Sequence, residues 1–127
     1  MRHMGLRSAI GIGIAIAAIG CGSPPPTAAV GRELYASNGC ASCHGANGHG
    51  DGPVAKTLVP PPRDFRDASA FKNGTDVAAI AATLASGLSR DGGSMPQFKH
   101  LTRDERASLA LYVISLRTFP QQSKEQP

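Results

Sequence analysis

The stretch CASCHGANGHGDGP, residues 40–53, sets two thiols and an imidazole close together: Cys40, Cys43 and His44. Three chemistries use such a set. A Cys-X-X-Cys pair can cycle between dithiol and disulfide, but that motif belongs to a βαβ frame. Two thiolates and an imidazole can hold three corners of a zinc tetrahedron, which then needs a fourth ligand. Cys-X-X-Cys-His is also the attachment pattern of c-type haem. There the two thiols bond the porphyrin's vinyl groups and the histidine turns onto the iron. The chain before Cys40 reads as helix and no strand follows, so the redox-disulfide frame is missing. A zinc site would have to take its last ligand from His49, His100 or a carboxylate. The haem reading uses both cysteines and the histidine at once.

A six-coordinate haem iron needs a second axial ligand, and Met95 is the candidate. Met1 and Met4 would leave with an N-terminal signal segment, so Met95 is the one methionine expected in the mature chain. Its thioether sulfur is soft, favours ferrous iron and raises the reduction potential relative to a second imidazole. It stands in GGSMPQF, a glycine- and proline-flanked setting that suits core filler poorly. His49 follows His44 too closely to reach the opposite haem face and reads as a solvated loop residue. His100 could replace Met95 if the loop rearranged. The Nδ1–H of His44 needs an acceptor that fixes the tautomer. The Pro53 carbonyl is the first candidate. Pro60, Pro61 and Pro62 are alternatives, because VPPPRDF returns toward the haem edge.

The elements that must position these groups are helical. VGRELYASNGCASCHG, from Val30, reads as a helix with a frayed second half, and Gly31, Leu34 and Tyr35 share a face. Residues 45–74 are rich in glycine, proline and asparagine and read as loop. GTDVAAIAATLASG predicts a helix capped by Thr75, striped by Val77, Ile80, Ala81 and Leu84, and stopped at Gly87. Residues 88–100 break the periodicity. The last helix opens on the capping box Thr102–Glu105 and carries Leu109, Tyr112, Val113 and Leu116 as an apolar stripe. Pro120 ends it at the latest. No strand and no repeat is expected. The fold class is all-α, with three main helices and long loops that need something besides backbone ladders to organise them.

Composition agrees. The 127 residues hold 15 glycines and 10 prolines against 5% aromatics, little bulk for a core of this size. The formal charge of +4 is spread along the chain, with no basic run and no aromatics interleaved with one, so a nucleic-acid partner is not expected.

The N-terminus is expected to be a signal peptide over residues 1–20. Arg2 and Arg7 precede an apolar run from Ala9 to Ile19, far short of the roughly 20 residues that span a bilayer. AAIGC resembles a bacterial lipoprotein cleavage site, which would make Cys21 the lipidated first residue. It departs from that pattern at Ala18, where leucine is usual. Ordinary signal cleavage or an uncleaved anchor are the rival readings. Gly22 in place of aspartate suggests, by the same resemblance, an outer membrane. Residues 21–29 then form a proline-rich tether, 30–119 the domain, and 120–127 a disordered tail.

From these residues the chain resembles a class I c-type cytochrome over residues 30–119. Gly31 and Tyr35 match the N-terminal helix positions that pack on the C-terminal helix, and Leu109 and Tyr112 match the partner positions. Gly52-Pro53 stands near the proline whose carbonyl receives the haem histidine in that family, and Ser94-Met95-Pro96 where it supplies its distal methionine. The chain has no tryptophan, so the aromatic that often meets a haem propionate must be replaced, with Arg63 one candidate. The resemblance implies one covalently bound haem c with His44 and Met95 on iron. It implies single-electron transfer between redox partner proteins, with no small-molecule substrate and no enzymatic step of its own. The expected place is the periplasmic face of a membrane, held by the lipid, or the soluble periplasm if Cys21 carries none. A docked subunit of an oxidoreductase complex is the alternative, and a haem-based gas or redox sensor a further one.

Overall fold

Thr27 opens the first helix. Its backbone is extended and its Oγ1 accepts the Val30 N–H at 3.2 Å, so α1 spans Ala28–Ser37 and starts ahead of the expected Val30. The structure is a computed structural model that describes residues 23–90 and 93–118. The predicted signal peptide, Cys21, Pro120 and the C-terminal tail lie outside the described residues.

Asn38 closes α1, its Nδ2 donating to Leu34 O at 2.8 Å, and Gly39 follows at φ +71°. That left-handed step is open to glycine at no steric cost. It makes the expected frayed half a separate single turn, α2, Cys40–His44. Residues 45–74 are irregular, as expected, apart from two short 3-10 turns at Ala55–Thr57 and Ala68–Ala70.

α3 spans Val77–Ser86 and stops at Gly87, φ +69°. Its cap is Asp76 rather than Thr75: Asp76 Oδ1 accepts the Ala79 N–H at 2.9 Å. The Thr75 carbonyl instead receives Arg117 Nη2 from the last helix at 2.8 Å. A short antiparallel ribbon follows where no strand was expected. β1, Leu88–Arg90, pairs with β2, Gly93–Met95, with Leu88 opposite Met95. Three residues are too few for alternation to register in sequence. α4 spans Arg103–Thr118, and its capping box forms as expected: Thr102 N–H donates to Glu105 Oε2 at 2.7 Å and Glu105 N–H to Thr102 Oγ1 at 3.2 Å.

The architecture is all-α apart from that ribbon, with α4 packed against both α1 and α3. Gly31 marks the α1–α4 contact. A Cβ there would run into the Ser108 carbonyl and come within 2.8 Å of Tyr112 Cβ, so only glycine admits the approach. Thr27 N–H adds a bond to Ser108 Oγ at 3.2 Å. The predicted stripes face inward: Ile80 and Leu84 of α3 and Leu109 and Val113 of α4 are buried, with Tyr112 and Leu116 half-buried. Tyr35 and Phe65 complete the middle of this cluster. Among the described residues no helix is long and apolar enough to cross a membrane.

Candidate functional site

The single turn α2 puts Cys40, Cys43 and His44 at i, i+3 and i+4, which share one helix face. Both thiols are free and half-buried. Burial pushes the Cys40 thiol above its ordinary pKa, so it stays protonated at neutral pH. A one-turn helix cannot satisfy its own carbonyls. The following loop does it: Gly50 N–H donates to His44 O at 2.9 Å, Gly52 N–H to Cys43 O at 3.1 Å and Val54 N–H to Ser42 O at 3.1 Å. Tyr35 anchors the end of the turn from α1, its hydroxyl donating to Gly45 O at 2.7 Å in a buried setting. The Tyr35 ring meets Tyr112 edge-on at 5.3 Å and Phe65 at 6.4 Å, so one side chain joins α1, α2, α4 and the loop.

The His44 Nδ1 lies 3.3 Å from Arg63 O. A carbonyl only accepts, which assigns the proton to Nδ1 and leaves the Nε2 lone pair free. The ring stacks on Phe65, centroids 4.6 Å apart and planes 29° from parallel. Burial lowers the imidazole pKa, against a smaller opposing effect of the Arg63 bond. His44 is therefore neutral at pH 7, the state in which Nε2 can ligate a metal.

The acceptor is Arg63, not the expected Pro53. Residues 50–54 are bound to the carbonyls of α2 itself and Pro53 is exposed behind that turn. The chain comes alongside the His44 ring only after Pro62, where Phe65 N–H donates to Gly48 O at 2.7 Å. The alternative that VPPPRDF returns to the histidine was the closer reading, one residue past its prolines. Asp64 and Arg66 brace this return. Asp64 Oδ1 accepts the Arg66 N–H at 2.9 Å, and the two side chains pair with contacts of 2.5 to 3.2 Å. The hydrogen bond from Arg66 holds the Asp64 carboxyl down at about 2. The Arg63 guanidinium bonds none of the described residues.

Met95 ends β2, half-buried, and packs on the same apolar cluster as Cys40. Its strand is pinned to β1, and Phe98 N–H donates to Leu84 O at 2.8 Å. Arg106 of α4 donates to the Leu101 carbonyl and, at 3.5 Å, to that of Phe98. His100 is exposed and bonded to Asn38. His49 is not the solvated residue expected. It is half-buried, and its Nε2 is shut from solvent with no hydrogen-bond partner among the described residues. Among the described residues no three His, Cys, Asp or Glu side chains gather as a site for a bare metal ion.

The donor set fits haem: two thiols a turn apart, a neutral imidazole with Nε2 open, an aromatic ring beside it, and a thioether on the same apolar cluster. Phe65 and the Tyr35 hydroxyl are positioning groups that were not singled out in the sequence for these tasks. Phe65 stood in the stretch expected to return toward the haem.

The model of the cytochrome c family matches residues 28–117. Among solved structures, the chain is similar to a chain of the Kuenenia stuttgartiensis reducing HAO-like protein complex Kustc0457/Kustc0458, with 34% sequence identity and a TM-score of 0.62. The match covers 79% of this chain and 49% of that one, so this chain spans about half the length of that relative. None of the curated proteins matches the chain.

Proposed function

The chain belongs to the cytochrome c family, and from that premise we propose that it is a class I monohaem carrier of single electrons in a bacterial cell envelope. The observation that carries this reading is α2, with Cys40, Cys43 and His44 on one face and the His44 Nε2 left free by the Nδ1 bond to Arg63 O. The haem supplies a one-electron iron couple and an apolar macrocycle. Cys40 and Cys43 would hold the haem covalently through two thioether bonds. His44 would offer Nε2 to iron, and Arg63 O, by holding the Nδ1 proton, would strengthen that donation. Met95 would offer its sulfur as a second protein ligand to the iron. With His44 and Met95 both bound, the iron would be closed to substrate and the chain suited to outer-sphere electron transfer. Arg63, with its guanidinium unbonded among the described residues, is our candidate partner for a propionate.

Purified holoprotein tests this. Haem should stay on the chain through denaturing electrophoresis, the C40A/C43A variant should lose it, and a redox titration should follow a single one-electron curve. Haem extracted from the wild type by acid and solvent would overturn the reading.

We further propose residence on the periplasmic face of a membrane through lipid on Cys21, with the outer membrane favoured. Mass spectrometry of the mature N-terminus tests it, an unmodified Cys21 thiol being the contrary result. The second reading is a docked subunit of an oxidoreductase. It draws support from the structural relative, a chain of a protein complex of which the match covers 49%. Isolation from native membranes separates the two: a stoichiometric partner favours the subunit, its absence the free shuttle.

A further inference from the structure

The segment that follows Met95 carries a bond with no part in the haem site as described. His100 Nε2 lies 2.9 Å from Asn38 Oδ1, across 62 positions of sequence. Asn38 Nδ2 already donates to Leu34 O at 2.8 Å, which assigns Oδ1 as acceptor and the proton to His100 Nε2. Asn38 is the C-cap of α1 and leads through Gly39 into Cys40. His100 lies between Met95 and α4. The other anchors of its segment run elsewhere, from Phe98 N–H to Leu84 O on α3 and from Arg106 on α4 to the carbonyls of Phe98 and Leu101. Among the described residues, no other hydrogen bond joins residues 93–101 to residues 28–53.

We propose that the His100–Asn38 bond is a clasp between the haem-attachment turn and the Met95 segment, and that it sets how readily Met95 leaves the iron. The proposal rests on Met95 being the second axial ligand. The bonds to α3 and α4 tie the segment to those helices. The His100 bond ties it instead to the C-cap of α1, two residues before Cys40. His100 is a positioning residue in this account, since it acts on the iron only through where it holds Met95. One exposed neutral hydrogen bond has a modest net worth, so its loss should change the opening equilibrium about two- to tenfold.

The test uses ferric holoprotein and imidazole as the probe. Capture of imidazole displaces the thioether and is followed through loss of the sulfur-to-iron charge-transfer band. His100→Ala should capture imidazole about two- to tenfold faster than wild type under native conditions. His100→Gln, which keeps an N–H donor, should move back toward the wild-type rate. Asn38→Ala added to His100→Ala should bring no further acceleration, because one bond is lost only once. Denaturant midpoints of each variant separate this local opening from global loss of stability. A wild-type protein without the band removes Met95 ligation and the clasp with it. A wild-type band with unaltered capture in His100→Ala removes the clasp alone, as does an acceleration that His100→Gln does not reverse.

Discussion

The His44 ring is defined by two neighbours, the Arg63 carbonyl at Nδ1 and the Phe65 face. Both depend on the turn that Asp64 and Arg66 brace. The Asp64 carboxyl titrates at about 2 in the folded chain, below its ordinary 3.8. A depressed carboxylate contributes stability that is present above the ordinary value and lost as pH falls toward the folded one. Wild type should therefore lose thermal stability between about pH 4 and pH 2 more steeply than Asp64→Asn. The two midpoints falling in parallel would contradict that. The effect should be small, since the Asp64–Arg66 pair is largely exposed. Tyr35→Phe should cost more, about 0.5–1.5 kcal/mol, because it removes a buried hydrogen bond and leaves the Gly45 carbonyl with only the Gly48 N–H at 3.3 Å. Denaturation of the holoprotein measures it, and an unchanged midpoint would show that the bond does not hold α2. At this scale the candidate attachment set stood out because Cys40, Cys43 and His44 fall within one short stretch and are chemically distinctive. The His44 acceptor was not, because a backbone carbonyl carries no residue-type signature. Pro53 was the expectation, and only the path of the loop shows that Arg63 comes alongside the ring.

At the scale of elements, α1 and α4 hold the frame, and their contact depends on Gly31. Gly31→Ala should cost about 1–3 kcal/mol by forcing the helices apart at Ser108. A denaturant midpoint equal to wild type would mean the helices separate freely at that point. Thr102→Ala should cost about 1 kcal/mol through loss of the capping box, read by the same denaturation. α3 and α4 were readable from periodicity and end signals, because both run long enough for an apolar stripe to repeat. The hairpin was not, with strands of only three residues. The break between α1 and α2 did carry a signal, the turn-forming pair Asn38-Gly39, which helical spacing on either side obscured. Thr75 and Asp76 are both good caps side by side. Sequence alone does not decide between them, whereas the Asp76 bond to Ala79 N–H does.

For the whole molecule, the balance is between a small apolar core and long loops. Leu109 is the one large side chain among the described residues that is less than 2% exposed. Phe65 and Tyr35 close the middle beside His44, where a macrocycle would add the missing apolar bulk. The C40A/C43A variant without haem should therefore show no cooperative thermal transition, and a sharp one would mean that the chain holds its fold unaided. The central claim is that His44 and Met95 close both axial positions and leave only electron transfer. Its most direct test is the optical spectrum of purified holoprotein, ferric, then ferrous, then with carbon monoxide. The account predicts a low-spin ferric form with the sulfur-to-iron charge-transfer band and a ferrous spectrum that carbon monoxide leaves unchanged. A ferrous spectrum that shifts readily with carbon monoxide would contradict it and point to an iron open to ligands.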